Sequence, residues 1–295
     1  MTVRADGRNG SNHKLRWGFS TLGCAELSLP EVCQLAAQFE FPEFEVRALQ
    51  GRVDLPQYAL DHGLMPPRVG SLFKDHQVRM IVGSSDFKLI DGDDFKRAEL
   101  SRFCAWADAW RAPYVRVFGG GTWGAPPTEA ELKTAAENIA WWRAEKKAHR
   151  WQVELLLETH DAFSASEPCC RLFQRLDEPL GILWDAHHTW RLGGETPRET
   201  WRRLSKWIRH VHIKDSIDKP SARHPYTYVL PGEGQAPLAD ILNLLRAENF
   251  QGTVSLEWER LWHPYLPPLP VALARLREQE WFQPWAEAHG PGSKV

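Results

Sequence analysis

Short apolar runs that end in polar residues recur along the chain, separated by stretches with helical periodicity. Eight of these runs read as strands: RWGFSTL from Arg16, EFEVRAL from Glu43, VRMIVGSSD from Val78, YVRVFGGG from Tyr114, QVELLLETH from Gln152, LGILWDAHH from Leu180, IRHVHIKDS from Ile208 and TVSLEWER from Thr253. Helix start signals lie between them. Thr128 with Glu131 has capping-box spacing, and Thr196 with Pro197 and Glu199 adds a proline at the first helical position. The segment from Ser28 through Pro30 to Phe39 opens in the same way, and Leu100, Phe103, Cys104, Ala107 and Trp110 trace one apolar helical stripe. Only the stretch around Leu55 to His62 is weak, broken by prolines, and LPPLP from Leu266 reads as a turn into a last helix.

Strand and helix alternating eight times in about 250 residues predicts an α/β fold, a (β/α)₈ TIM barrel built as a single domain. A doubly wound open sheet would bring G-x-G-x-x-G after its first strand, where this chain has TLGCAEL. The FGGG after the fourth strand lacks the Lys-Ser/Thr of a phosphate loop, so a nucleotide site is unsupported. The polar, Gly- and Asn-containing stretch 1–14 reads as a disordered tail, leaving 15–290 for the barrel.

Composition narrows the function classes. Apolar residues at 43% and charged residues at 25% suit a water-soluble globular protein with a substantial core. A formal charge of −2 gives no bulk attraction for polyanions, so no nucleic-acid partner is expected. No stretch approaches the ~18 apolar residues of a membrane span. Five cysteines without a C-x-x-C pair fit neither a disulfide scaffold nor a zinc finger, and point to reduced thiols in a cytoplasm.

Catalytic groups of such barrels lie at the C-terminal ends of the strands. The first, third and fourth strands end in small or weakly polar residues, whereas the last four end in Glu158, Asp185, His212 and Glu257, at separations of 27, 27 and 45 residues. Three carboxylates and one imidazole converging from adjacent strands suit a single divalent ion, Mn²⁺ first, with Mg²⁺, Co²⁺ or Zn²⁺ as alternatives. Strand alternation implies that Glu154 and Leu156 share the inward face of Glu158, and His210 that of His212, so Glu154 and His210 are candidates to pair inside the barrel.

In this ordered set, with PGEG at 231–234, the chain from about Arg16 to Trp281 resembles the xylose isomerase-like TIM-barrel superfamily, also called the sugar phosphate isomerase/epimerase family. The resemblance implies a metal held by Glu158, Asp185, His212 and Glu257, and a substrate-binding role for His188, three residues after the metal Asp. Two positions depart from the ketose epimerases of this family: Ser164 stands where they carry a second Glu, and Asp218 where they carry an Arg. The H-x-H-x-K-D wording around Lys214 and Asp215 also resembles inosose dehydratases.

The expected activity is a metal-dependent sugar or sugar phosphate isomerase or epimerase, with Glu158 and Glu257 moving a proton through an enediolate. A dehydratase of a keto-sugar or keto-cyclitol is the alternative. An apurinic endonuclease would need further histidines on the third and fourth strands, which MIVGSSD and VRVFGGG lack, and a non-catalytic binding protein would not need an intact ligand quartet. Glu45 and Arg47 share a face and are candidates to hold a sugar hydroxyl or phosphate; Lys214 would reach a substrate oxygen or pair with Asp215, the pair being favoured. Arg116, His160 and His187 are near the site by sequence, and Trp123, Trp184, Trp190 and Trp258 adjoin the proposed mouth. The expected partner is a small sugar or cyclitol, with homo-oligomerisation left open.

Overall fold

Eight parallel strands hydrogen-bond edge to edge until the last meets the first. In the computed structural model these are β1 (Arg16–Ser20), β2 (Glu43–Val46), β3 (Arg79–Lys88), β4 (Tyr114–Phe118), β5 (Glu154–Glu158), β6 (Gly181–Asp185), β7 (Ile208–Ile213) and, after a small antiparallel hairpin of β8 (Asp215–Ile217) and β9 (Thr227–Val229), β10 (Thr253–Leu256). The closed order is β1-β10-β7-β6-β5-β4-β3-β2, which is the expected single-domain (β/α)₈ barrel. The structure describes residues 14–282. The tail read at the N-terminus therefore falls, apart from Lys14, outside the described residues, as does the stretch 283–290 assigned to the barrel.

The local signals act where the sequence placed them. Ser28–Glu31, Thr128–Glu131 and Thr196–Glu199 each form reciprocal capping boxes at the start of the helices Leu29–Phe39, Glu129–His149 and Pro197–Leu204. The weak stretch after β2 resolves into two helices, Leu55–Asp61 and Pro66–His76, with prolines in the first turn of each. Those prolines start helices rather than break them, because a first-turn N–H has no intrahelical acceptor to lose. The hairpin β8–β9 was not legible, being two three-residue strands inside what reads as one long loop.

Two separate cores result. The large one packs helices against the barrel's outer face and includes Trp17, Phe44, Trp142 and Trp184. A small one, Ile81, Val82, Leu156 and Leu183, comes from β3, β5 and β6, which are not all neighbours, and so fills the barrel interior. On the other side of that interior, β2 carries Glu43 and Glu45, which reach across to Thr253 on β10 and to His210 and His212 on β7.

Leu156 and His210 therefore face the interior as strand alternation predicts, but Glu154 does not. Glu154 lies at the outer rim where β5 begins, over half exposed at 55%, and pairs with Lys146. His210 takes Glu45 as its partner instead. Strand β5 is only five residues long, so a residue four before Glu158 has already left the interior.

Among the described residues no helix is long and apolar enough to cross a membrane. All five cysteines are free thiols, and four are buried.

Candidate metal centre

Register brings the strand ends level: Asp185 on β6 pairs with His212 on β7, and His212 pairs with Ser255 on β10, two residues before Glu257. Glu158, Asp185, His212 and Glu257 are all buried, and each offers a ligand-type atom within 4.8 Å of the others. Three atoms in this group, Glu158 Oε2, Asp185 Oδ2 and His212 Nδ1, are buried without a hydrogen-bond partner. Such groups are costly to bury unless something completes their coordination. The donor set, three oxygens and one imidazole nitrogen, fits a hard or borderline divalent cation.

The histidine is oriented from beneath. His212 Nε2 lies 2.9 and 2.8 Å from the two oxygens of Glu45, and His210 Nε2 lies 3.1 Å from one of them. A ring that donates from Nε2 to a carboxylate leaves Nδ1 as its free nitrogen, the arrangement by which proteins fix a metal-binding tautomer. Burial would raise Glu45's carboxyl, but the imidazoles of His212 and His210 outweigh it and hold the group below the ordinary carboxylate range. Glu45 has no exposed surface. Its expected place against a sugar hydroxyl is thus corrected: it supports His212 from inside the barrel, while its face-mate Arg47 does line the cavity.

Each remaining carboxylate has its own brace. Asp185 accepts the His188 backbone N–H through Oδ1 at 2.8 Å, capping the short helix Ala186–Arg191, and presents Oδ2 to Lys214 Nζ at 2.8 Å. Thr159 Oγ1 accepts the Asp185 N–H at 2.8 Å and ties the ends of β5 and β6 together. Burial, with Glu257 and Glu158 nearby and Lys214 opposing, pushes the Asp185 carboxyl up to about 7. Glu158 and Glu257 go the other way. Burial raises both, but Arg116 and His212 overcome it at Glu158, and His212 and Lys214 overcome it at Glu257. Both glutamates are therefore held ionised. Arg116 Nε lies 3.1 Å from Glu158 Oε2, an ion pair without hydrogen-bond alignment.

Lys214 does not pair with Asp215. Its ammonium, 2% exposed, sits among Asp185, Glu257 (2.5 Å) and Glu259 (2.6 Å), which together outweigh the cost of burial and keep it charged. Asp215 instead accepts backbone N–H groups from Ser216, Gly232, Gly234 and Ala236 at 2.9–3.0 Å. That clamp explains PGEG: Gly232 has φ +86°, and a Cβ on Gly234 would stand 2.1 Å from Asp215 Oδ1. The motif anchors the loop after β7 at the mouth rather than touching the centre.

Above the centre lies a cavity of about 510 Å³, lined by Arg47, Arg116, His160, His188, Trp123 and others. His188 Nδ1 is 3.1 Å from the Thr159 carbonyl, leaving Nε2 free. His160 Nδ1 is 2.9 Å from Asp161, which adopts φ +52°. His187 is turned away, bonded to Ser216 Oγ at 2.7 Å, and Ser164 bonds the Asp161 carbonyl at 2.8 Å. Asp218 pairs with Arg191 at the surface.

Of the four tryptophans placed near the mouth, Trp123 lines the cavity. Trp184 and Trp258 are buried in the outer core, and Trp190 packs on His187. Sequence reasoning missed Trp262, Arg223, His224, Glu259 and His263, which complete the wall. For Glu259, Trp262 and His263 the signal was the run EWERLWH continuing past the last strand, which reads as loop when no structure closes it over the barrel; Arg223 and His224 sit in the β8–β9 hairpin, which carried none.

Fold and site together define a class: a (β/α)₈ barrel with a mixed carboxylate–imidazole centre at the C-terminal mouth. The chain belongs to the xylose isomerase-like TIM-barrel family, whose sequence profile matches residues 33–284. No curated protein matches it in sequence.

Among solved structures, it is similar to the probable 3-DHS dehydratase AsbF, involved in petrobactin synthesis, from Bacillus anthracis. The TM-score is 0.74 and the identity 20%, over 89% of this chain and 98% of that one. It is also similar to the IolI protein solved with a bound zinc atom (TM-score 0.71, 18% identity, 89% and 95% covered). A third is 3-keto-D-glucoside 4-epimerase, YcjR, from E. coli (0.67, 15%, 91% and 99%). An epimerase and a probable dehydratase thus share this architecture.

Proposed function

We propose that the protein is a divalent-metal-dependent isomerase or epimerase acting on a small polyhydroxylated ketone, by proton transfer through an enediolate. The observation that carries this reading is the buried group Glu158, Asp185, His212 and Glu257, whose ligand-type atoms converge, three of them making no hydrogen bond, although Lys214 and Arg116 stand beside two of these as ion-pair partners. These four residues would hold the ion, Mn²⁺ being the first choice for three oxygens and one nitrogen, with Mg²⁺, Co²⁺ and Zn²⁺ compatible. When bound, the ion supplies Lewis-acid polarisation of a carbonyl and neutralises charge created by proton loss.

The chain supplies the proton traffic and the orientation. Glu158 and Glu257 are kept ionised by their cationic neighbours, so either can accept a proton from carbon. His188, through its free Nε2, holds a substrate oxygen, while Lys214, whose three N–H groups face Asp185, Glu257 and Glu259, keeps those carboxylates in place. Arg116 balances the charge on Glu158, and the aromatic wall of Trp123 and Trp262 suits the C–H face of a sugar ring. The enzyme acts in the cytoplasm on a small molecule; the free cysteines support that setting.

A dehydratase is the second reading, favoured by one observation. His160 lines the cavity with Nδ1 2.9 Å from Asp161, a further proton carrier besides the two glutamates, as loss of a hydroxyl leaving group requires.

Incubation of Mn²⁺-loaded protein in heavy water with a panel of keto-sugars and keto-cyclitols, scored by product NMR, tests both readings. Deuterium at the carbon beside the carbonyl, without loss of water, is the expected result. An ultraviolet-absorbing enone would transfer the assignment to elimination. Turnover without solvent label would overturn free proton exchange.

A further inference from the structure

The cavity above the centre presents four cations, Arg47, Arg116, Lys214 and Arg223, against three carboxylates. Two of the cations are matched, Arg116 by Glu158 and Lys214 by Glu257 and Glu259. Arg223 is not, and Arg47 is matched only in part. The Arg47 side chain is only 7% exposed, and its single ionic partner, Asp86, is 61% exposed, where an ion pair is well screened. The second arm of that guanidinium, Nη1, is buried with no hydrogen-bond partner. Arg223 has no ion pair or hydrogen bond among the described residues; its guanidinium lies 5.8 Å from the centre of the Trp262 ring. Arg47 shares the same indole at 6.0 Å.

We propose that the substrate carries an anionic group, a carboxylate or a phosphate, received by Arg47 and Arg223 beside Trp262. A planar guanidinium with a free arm is matched to two acceptor oxygens on one atom, as both anions present. The indole, about 6 Å from each guanidinium, attracts the two cations without neutralising them. Burial and the neighbouring Arg116 lower Arg47 only to about 10, so it meets the anion fully charged at neutral pH. Arg47 lines the same cavity as Glu158 and Glu257, so an anion held there keeps the next carbons of a short substrate within the space those carboxylates face. This assignment rests on the catalytic site proposed above and adds the charge class of its substrate.

Calorimetric titration of the Mn²⁺-loaded protein with D-fructose, D-fructose 6-phosphate and 5-keto-D-gluconate tests it without requiring turnover. The expected result is that at least one charged ligand binds on the order of 10- to 100-fold more tightly than D-fructose. Which of the two does so separates phosphate from carboxylate. Arg223→Gln, at an exposed position that does not threaten folding, should lower the preference several-fold, and Arg47→Gln should abolish it. Equal binding of neutral and charged ligands, or a preference that survives both substitutions, would overturn the proposal. Failure of the metal reading is separate: a protein that takes up no ion yet still prefers the anions through Arg47 and Arg223 would lose its proposed chemistry and keep this subsite.

Discussion

Inside the barrel, β3, β5 and β6 contribute Ile81, Val82, Leu156 and Leu183, an apolar plug detached from the outer core. Across from it, β2, β7 and β10 contribute Glu43, Glu45, His210, His212 and Thr253, which bond one another across the interior. Most barrel interiors are filled by branched apolar side chains, so the polar half is the departure. It teaches what the site needs. An apolar residue in place of Glu45 would fill the space, but it would leave His212 free to rotate and to choose either tautomer. The carboxylate fixes both, at the cost of burying an ionisable ladder. The plug supplies packing and the ladder supplies direction, and the four candidate ligands stand on top of both.

Substitutions on the two sides should fail in different currencies. The largest effect is expected above them: Glu158→Gln or Glu257→Gln should each lower turnover by about 10²–10⁴-fold, with little change in melting temperature. Activity retained in either variant would remove that residue from the proton path. Next, Leu183→Ala in the plug should cost about 2–5 kcal/mol of stability in denaturant unfolding, while ion binding by the folded protein persists. Loss of ion binding at unchanged stability would merge the two halves into one.

On the ladder, Glu45→Gln should weaken ion affinity by about 10–100-fold, read by calorimetry, and leave the fold in place. Unchanged affinity would show that His212 needs no support. Smallest of all, Lys146→Ala at the opposite rim, where its partner Glu154 is more than half exposed, should move stability by no more than ~1 kcal/mol and leave ion binding as it was.

The barrel was legible because its signals are local. Eight apolar runs, two capping boxes and a Ser-Pro helix start each act within a few residues, and each appears where the pattern placed it. The convergence of Glu158, Asp185, His212 and Glu257 was legible for a related reason: barrel closure sends adjacent strand ends to one rim, so position in a strand stands in for position in space. What was not legible depends on contacts across the barrel or between loops. Glu45 reads as a pocket residue beside Arg47 until β2 is seen facing β7. Lys214 and Asp215 read as a pair because they are adjacent, yet successive residues point apart, one into the centre and one to the backbone of 232–236. Trp262 and Arg223 come from loops after different strands and meet only over the closed mouth.

The central claim is that four strand ends hold one divalent ion. A crystal structure of the Mn²⁺-soaked protein, with the ion located by its anomalous scattering, addresses it most directly. The expected result is a single site per chain, bonded to Glu158, Asp185, His212 Nδ1 and Glu257 at about 2.0–2.6 Å, with Lys214 outside its bonding shell. Manganese absent from this group at saturating concentration, or bound only elsewhere, would contradict it.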